Sequence, residues 1–212
     1  MYRLHELRGY MRRTALRIGG SLDQGFHERE SIFLHIPKAA GSSVSEAVYG
    51  HQVGHWRLSD CMAADATATR NYFTFSFVRD PLDRFVSAFH FLAAGGMNKK
   101  DVEFASRHIK GCSLDEFAER VYNIPDLLNK VHLQTQASFL ISSESSRTIA
   151  VDFVGRFENM AQDFAEVANR LGIEPELPVR NTGPKRNCVQ ASKATRTIVR
   201  QVYAEDYALF GY

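Results

Sequence analysis

Three apolar runs set the frame of the chain. Ile32-Phe-Leu-His-Ile36 and Tyr72–Val78 are apolar runs rich in β-branched and aromatic residues, as in buried strands. Ile149–Gly155 repeats the pattern, interrupted only by Asp152. Elsewhere the apolar spacing changes to three and four: Phe85, Phe89 and Leu92, then Leu114, Phe117 and Val121, then Met160, Phe164, Val167 and Leu171, and finally Ile198, Val199, Val202 and Tyr203. Each set marks the inward stripe of a helix, and Arg84 and Ser87 are expected on other faces of theirs. Strands alternating with helices predict an α/β fold, with a central parallel sheet covered by helices on both faces and ligands at the carboxyl ends of its strands.

The first two strands end in unusual punctuation. Pro37 closes the first, followed by Lys38, Ala40, Gly41, Ser42 and Ser43, with a helix predicted from about Ser42. Unpaired N–H groups and the positive end of the helix dipole, joined by two hydroxyls and an ammonium, form an anion cradle. Gly41 permits close backbone approach there. The spacing is not that of a Walker motif, because Lys38 precedes Gly41 instead of following the second glycine, so an ordinary ATP or GTP site is disfavoured. The second strand delivers Arg79-Asp80-Pro81, a cation at the carboxyl end with Pro at the first helical position. One such turn holds a phosphate, and two suggest a doubly phosphorylated ligand. The structural alternatives are a Ser N-cap after a Pro turn, a salt bridge from Arg79 to Asp80 or Asp83, and a surface hydroxyl at Ser87.

Composition narrows the picture without producing it. With 212 residues, 44% of them hydrophobic, the chain suits a single domain over 31–212, and a net charge of +2 does not argue for nucleic acid. Cys61, Cys112 and Cys188 are odd in number and widely spaced, which suggests neither a disulfide framework nor a zinc site; reduced thiols and a cytoplasmic setting are expected. No run approaches the ~20 apolar residues of a membrane span, and the N-terminus lacks the apolar core of a signal peptide. Residues 1–30 stand apart. Arg3, Arg8, Arg12, Arg13 and Arg17 alternate with Leu4, Leu7, Met11 and Ile18, the pattern of a basic amphipathic helix that docks on its own domain or touches an anionic membrane surface through residues 1–18.

The strings IFLHIPKAAGSS and FVRDPLDRFVSAF resemble the two cofactor-binding motifs of carbohydrate sulfotransferases, the family of heparan sulfate 2-O- and chondroitin 4-O-sulfotransferases. The resemblance continues in order through His132-Leu-Gln-Thr-Gln136, Val151–Asn159 and Tyr203–Tyr212. It implies a P-loop-like three-layer α/β fold and transfer of a sulfuryl group from 3′-phosphoadenosine 5′-phosphosulfate (PAPS) to a hydroxyl, leaving 3′-phosphoadenosine 5′-phosphate (PAP), with no metal required. By the same resemblance Lys38, Ala40, Gly41, Ser42 and Ser43 hold the 5′-phosphosulfate, and Arg79 and Ser87 hold the 3′-phosphate, the two cations taking separate ends of one nucleotide. Lys185 and Arg186 are candidates to close over the 3′-phosphate. Lys38 is also the candidate to offset charge on the bridging oxygen.

A general base is needed for the acceptor hydroxyl, and His, with an ordinary pKa of about 6.5, suits neutral pH. The family often carries a Gly-His element between its two motifs, and Gly54-His55 matches that place. Gly50-His51 offers a shifted match, while His51, His132 and Gln136 are candidates to bind the acceptor, expected to be a saccharide or glycolipid. The absence of an N-terminal span and the start at Met1 suggest a soluble bacterial-type member. Two other classes remain open: a nucleotide or sugar kinase of the related P-loop class, and a non-catalytic nucleotide-binding relative. The oligomeric state is not readable from the chain.

Overall fold

The computed structural model describes residues 21–142, 148–178 and 191–212. In chain order its elements are α1 (Gln24–Arg29), β1 (Ser31–Phe33), α2 (Gly41–Tyr49), α3 (Leu58–Ala64), α4 (Ala66–Asn71), β2 (Phe73–Val78), α5 (Pro81–Ala93), α6 (Lys99–His108), α7 (Leu114–Asn123), α8 (Ala137–Leu140), β3 (Phe153–Arg156), α9 (Met160–Leu171), α10 (Lys193–Val202) and α11 (Ala204–Phe210). Contacts group the chain into two compact units, Met1–Arg79 with Gln136–Asn181, and Asp80–Thr135 with Thr182–Tyr212. The N-terminal segment 1–18, read as a basic docking helix, lies outside the described residues. No described helix is long and apolar enough to cross a membrane.

The first unit is an α/β structure built on a parallel sheet in the order β1-β2-β3. All of β1 and Thr74–Val78 of β2 are buried, the polar Thr74 and Ser76 included, so both faces of these two strands are covered. Phe33 lies opposite Phe75 in the ladder, and their rings stack at 5.1 Å between centroids. Gly155 sits opposite Phe77, whose ring occupies the place where a Cβ would go. Fully burying such an aromatic contributes about 1.5–3 kcal/mol.

The third strand is shorter than its apolar run. Ile149 makes only an isolated antiparallel bridge to Ile141, and β3 begins at Phe153. Asp152 marks the change, because its carboxylate accepts from both the N–H and the hydroxyl of Thr74 at 2.8 Å and fastens the start of an edge strand. β3 is half-buried except at Gly155, which corrects the expectation of burial on both faces.

In the second unit, Pro81 takes the first position of α5 and the Asp80 carboxylate caps it from outside, accepting from Asp83 N–H at 2.9 Å. Phe85, Phe89 and Leu92 point inward as predicted, meeting Phe117 and Val121 of α7 and Val199 of α10. Tyr203 separates α10 from α11, so the predicted closing helix is two short ones.

Arg84 is a correction. Expected on another face of α5, it is 1% exposed, with Nη1 donating to His132 O at 3.3 Å and Nη2 to Gln134 O at 2.5 Å. The fully buried Asp206 carboxylate stands 4.0 Å from Nη2, and the guanidinium lies 5.3 Å from the Tyr203 ring centroid. Burial pushes the Tyr203 hydroxyl upward in pKa, and that hydroxyl donates to Leu133 O at 2.8 Å. A buried guanidinium persists only with such partners, and deleting it strands the groups that face it. Arg84→Ala is therefore expected to destabilise the protein by about 3–5 kcal/mol in urea unfolding, against under about 0.5 kcal/mol for a solvent-exposed arginine.

Candidate functional site

The cradle forms where β1 gives out. Leu34 N–H still bonds Phe75 O at 2.9 Å, and Leu34 O accepts from the Ser76 hydroxyl at 2.6 Å, so the chain is anchored to β2 up to the turn. Beyond Pro37, Lys38 and Ala40 both adopt left-handed backbone, with φ of 71° and 61°, while Ala39 between them does not. Each non-glycine residue in that region costs about 1–2 kcal/mol. Backbone of alternating hand turns successive N–H groups toward one side and makes an anion-binding concavity.

Helix α2 begins at Gly41, one residue before the predicted start. Its cap is Ala40, with no side-chain bond, so Ser42 and Ser43 lie inside the first turn, half-buried, instead of capping it. Ser43 N–H and Val44 N–H both bond Ala40 O, at 3.1 and 3.3 Å, leaving the N–H groups of Gly41 and Ser42 without an intrahelical acceptor.

Arg79 leaves the carboxyl end of β2 in the same unit. Its N–H donates to Gln136 Oε1 at 2.9 Å and its carbonyl accepts from Gln136 Nε2 at 2.8 Å, and Gln136 is fully buried. The guanidinium lies over the Phe157 ring, 4.2 Å from its centroid, and its Nη1 donates to the carbonyl of Lys38 at 3.4 Å. The cation of the second motif is thus bonded to the backbone of the first. Burial, and then the charge of Arg79, hold the Lys38 ammonium below the usual lysine range.

His35 and His55 lie at this turn, and His51 follows the far end of α2. His35, at the end of the first apolar run, is 6% exposed and stacked on Phe33, with centroids 5.6 Å apart and planes at 12°. Its ring fills the space beside Gly41, where any Cβ would collide with it, so the glycine is needed for a side chain of the protein itself. His55 places its ring 4.3 Å from that of His35, and its Nδ1 is 2.9 Å from His35 O. A carbonyl only accepts, so Nδ1 carries a proton. His51 is bound at both nitrogens, Nδ1 to Tyr49 O and Nε2 to Asp23 Oδ1, each at 2.9 Å. These bonds to the Asp23 carboxylate and the Tyr49 carbonyl raise the His51 pKa and favour its cation.

The model of the sulfotransferase family matches residues 26–212. The chain belongs to that family. Searches of curated proteins and of solved structures found no match. In the first unit of this sulfotransferase, Lys38, Ala40, Gly41, Ser42, Ser43, Arg79 and Gln136 meet at one turn with His55 bonded to His35 O, whereas His51 lies beyond the opposite end of α2. Ser87, half-buried on α5, and His132, buried with its ring 4.8 Å from that of Phe91, belong to the second unit. Lys185 and Arg186 fall outside the described residues.

Sequence reasoning missed two contributors. His35 was absorbed into an apolar run, although a lone imidazole before Pro37 is a visible departure from it. Phe157 has no local mark at all, since its part is set by Arg79, 78 residues earlier.

Two predictions follow the geometry. Gly41→Ala forces a methyl group into the His35 ring and is expected to destabilise by about 1–3 kcal/mol in urea unfolding, an overpacking cost. His51, with its pKa raised in the folded state, contributes stability below about pH 6.5 that is lost as pH rises through the folded value. Asp23→Asn is expected to return the His51 Cε1–H titration, followed by NMR, toward about 6.5.

Proposed function

We propose that the chain transfers the sulfuryl group of PAPS to a hydroxyl of a saccharide or glycoconjugate, with His55 as general base. The observation that carries this reading is the convergence of two cations on one turn. Lys38 is desolvated beside Arg79, two effects that together hold its ammonium below the usual lysine range, and the N–H groups of Gly41 and Ser42 open on the same turn. This donor set fits the anionic end of a nucleotide. Lys38, Gly41, Ser42 and Ser43 would hold the phosphosulfate, while Arg79, with Ser87 of the same motif, would hold the 3′-phosphate. Lys185 and Arg186 complete the basic set in the proposal.

Bound PAPS supplies an already activated sulfuryl group, so the protein's work is positioning and charge stabilisation. Lys38 supplies a cation beside the helix start, and its lowered pKa makes it a readier proton donor to a leaving phosphate. Gln136 holds the Arg79 backbone from both sides and so aims the guanidinium. Nε2 of His55 takes the proton of the acceptor hydroxyl, because Nδ1 is committed to His35 O. His51 is the weaker candidate, since its Nε2 already faces Asp23. His51 and His132 remain candidates for acceptor contact.

Calorimetry with PAP tests the reading. Binding is expected, and Arg79→Ala is expected to weaken it at least tenfold, about 1.4 kcal/mol or more, as befits a charge-assisted bond. No affinity for PAP together with Mg²⁺-dependent ATP turnover would overturn the proposal in favour of a kinase. His55→Ala is expected to bind PAP normally but to slow PAP release from PAPS by about 10²–10⁴ in the presence of a glycan extract from the source cells.

A further inference from the structure

We propose that His35 is a positioning residue that seats the His55 ring, an inference that rests on reading His55 as the base. The hydrogen bond at Nδ1 fixes which nitrogen of His55 donates, and a packed neighbour limits how the ring can turn about that bond; His35 supplies both. His35 gives its carbonyl to Nδ1 and its ring as the wall against which His55 leans, 4.3 Å away and tilted by 55°.

The wall is itself immobile. The His35 ring is stacked on Phe33 on the buried strand side and fills the space at Gly41, the first residue of α2. Its place is therefore referenced to the start of the anion cradle. One side chain thus ties the direction of the base to the backbone that would receive the anion, and no part of this requires His35 to touch a substrate. Displacing a catalytic group by about 1 Å can cost on the order of 10²-fold in rate.

The test compares His35→Leu, which removes the flat ring, with His35→Phe, which keeps a planar ring of similar size. In ¹³C relaxation at His55 Cε1, the ring is expected to be rigid in the parent and in His35→Phe, and mobile on the ps–ns timescale in His35→Leu. PAP release from PAPS with the glycan extract is expected to fall about 10- to 100-fold in His35→Leu, with the KM for PAPS within about threefold, and His35→Phe is expected to recover most of the rate. In a His55→Ala background, His35→Leu is expected to cost nothing further, because the ring it seats is gone. Losses that multiply in the double variant, or a His55 ring as rigid in His35→Leu as in the parent, overturn the proposal. Unimpaired turnover in His55→Ala alone removes the base reading instead, while the relaxation measurement still decides whether His35 seats the ring.

Discussion

Lys38 and Ala40 hold left-handed backbone that neither side chain favours, and the first unit is arranged so that this turn has no cheaper alternative. Upstream, the ladder bond from Leu34 to Phe75 and the Ser76 hydroxyl on Leu34 O fix the direction in which the chain leaves the sheet. Downstream, two N–H groups of α2 close on Ala40 O, and the His35 ring blocks any retreat of Gly41. From the side, Arg79 donates to Lys38 O. Strain of a few kcal/mol survives because covering it means breaking several of these at once. What the turn offers in return is a set of N–H groups whose direction is settled before any ligand arrives, so little ordering cost is left for binding.

Arg79 and Arg84 show how the same residue type, five positions apart, is put to opposite uses. Arg84 is sealed in and its charge answered by two carbonyls and, at longer range, the Asp206 carboxylate, which makes it part of a core. Arg79 has its backbone clamped by Gln136, its guanidinium laid on Phe157 and its Nη1 donating to Lys38 O, so it is oriented at the turn instead of being sealed into a core. Aromatic support and a carbonyl acceptor orient a guanidinium.

Much of this was legible because it is local. Pro81 at a helix start and the stripe of Phe85, Phe89 and Leu92 each follow from a few neighbouring residues. The misses have the opposite origin. Arg84 reads as a surface cation because its partners are carbonyls about fifty positions away, invisible to any pattern of side chains. The left-handed Ala40 carries no glycine to announce it, and the late start of β3 reflects its edge position, which apolar runs do not encode. Gln136 was readable as a polar residue near the site, but that its amide spans the Arg79 peptide groups depends on the fold.

The histidines carry the same lesson into chemistry. His51 and His55 follow glycines four residues apart, and only the family resemblance ranks His55 first. Their acceptors separate them. A carboxylate on one nitrogen and a carbonyl on the other stabilise the cation of His51 and leave no basic atom facing outward. His55 has a carbonyl on Nδ1 and stands beside a ring that limits how it can turn. What an imidazole can do is governed by what its passive side is bonded to, and for His55 that side is formed by His35, just beyond the end of β1.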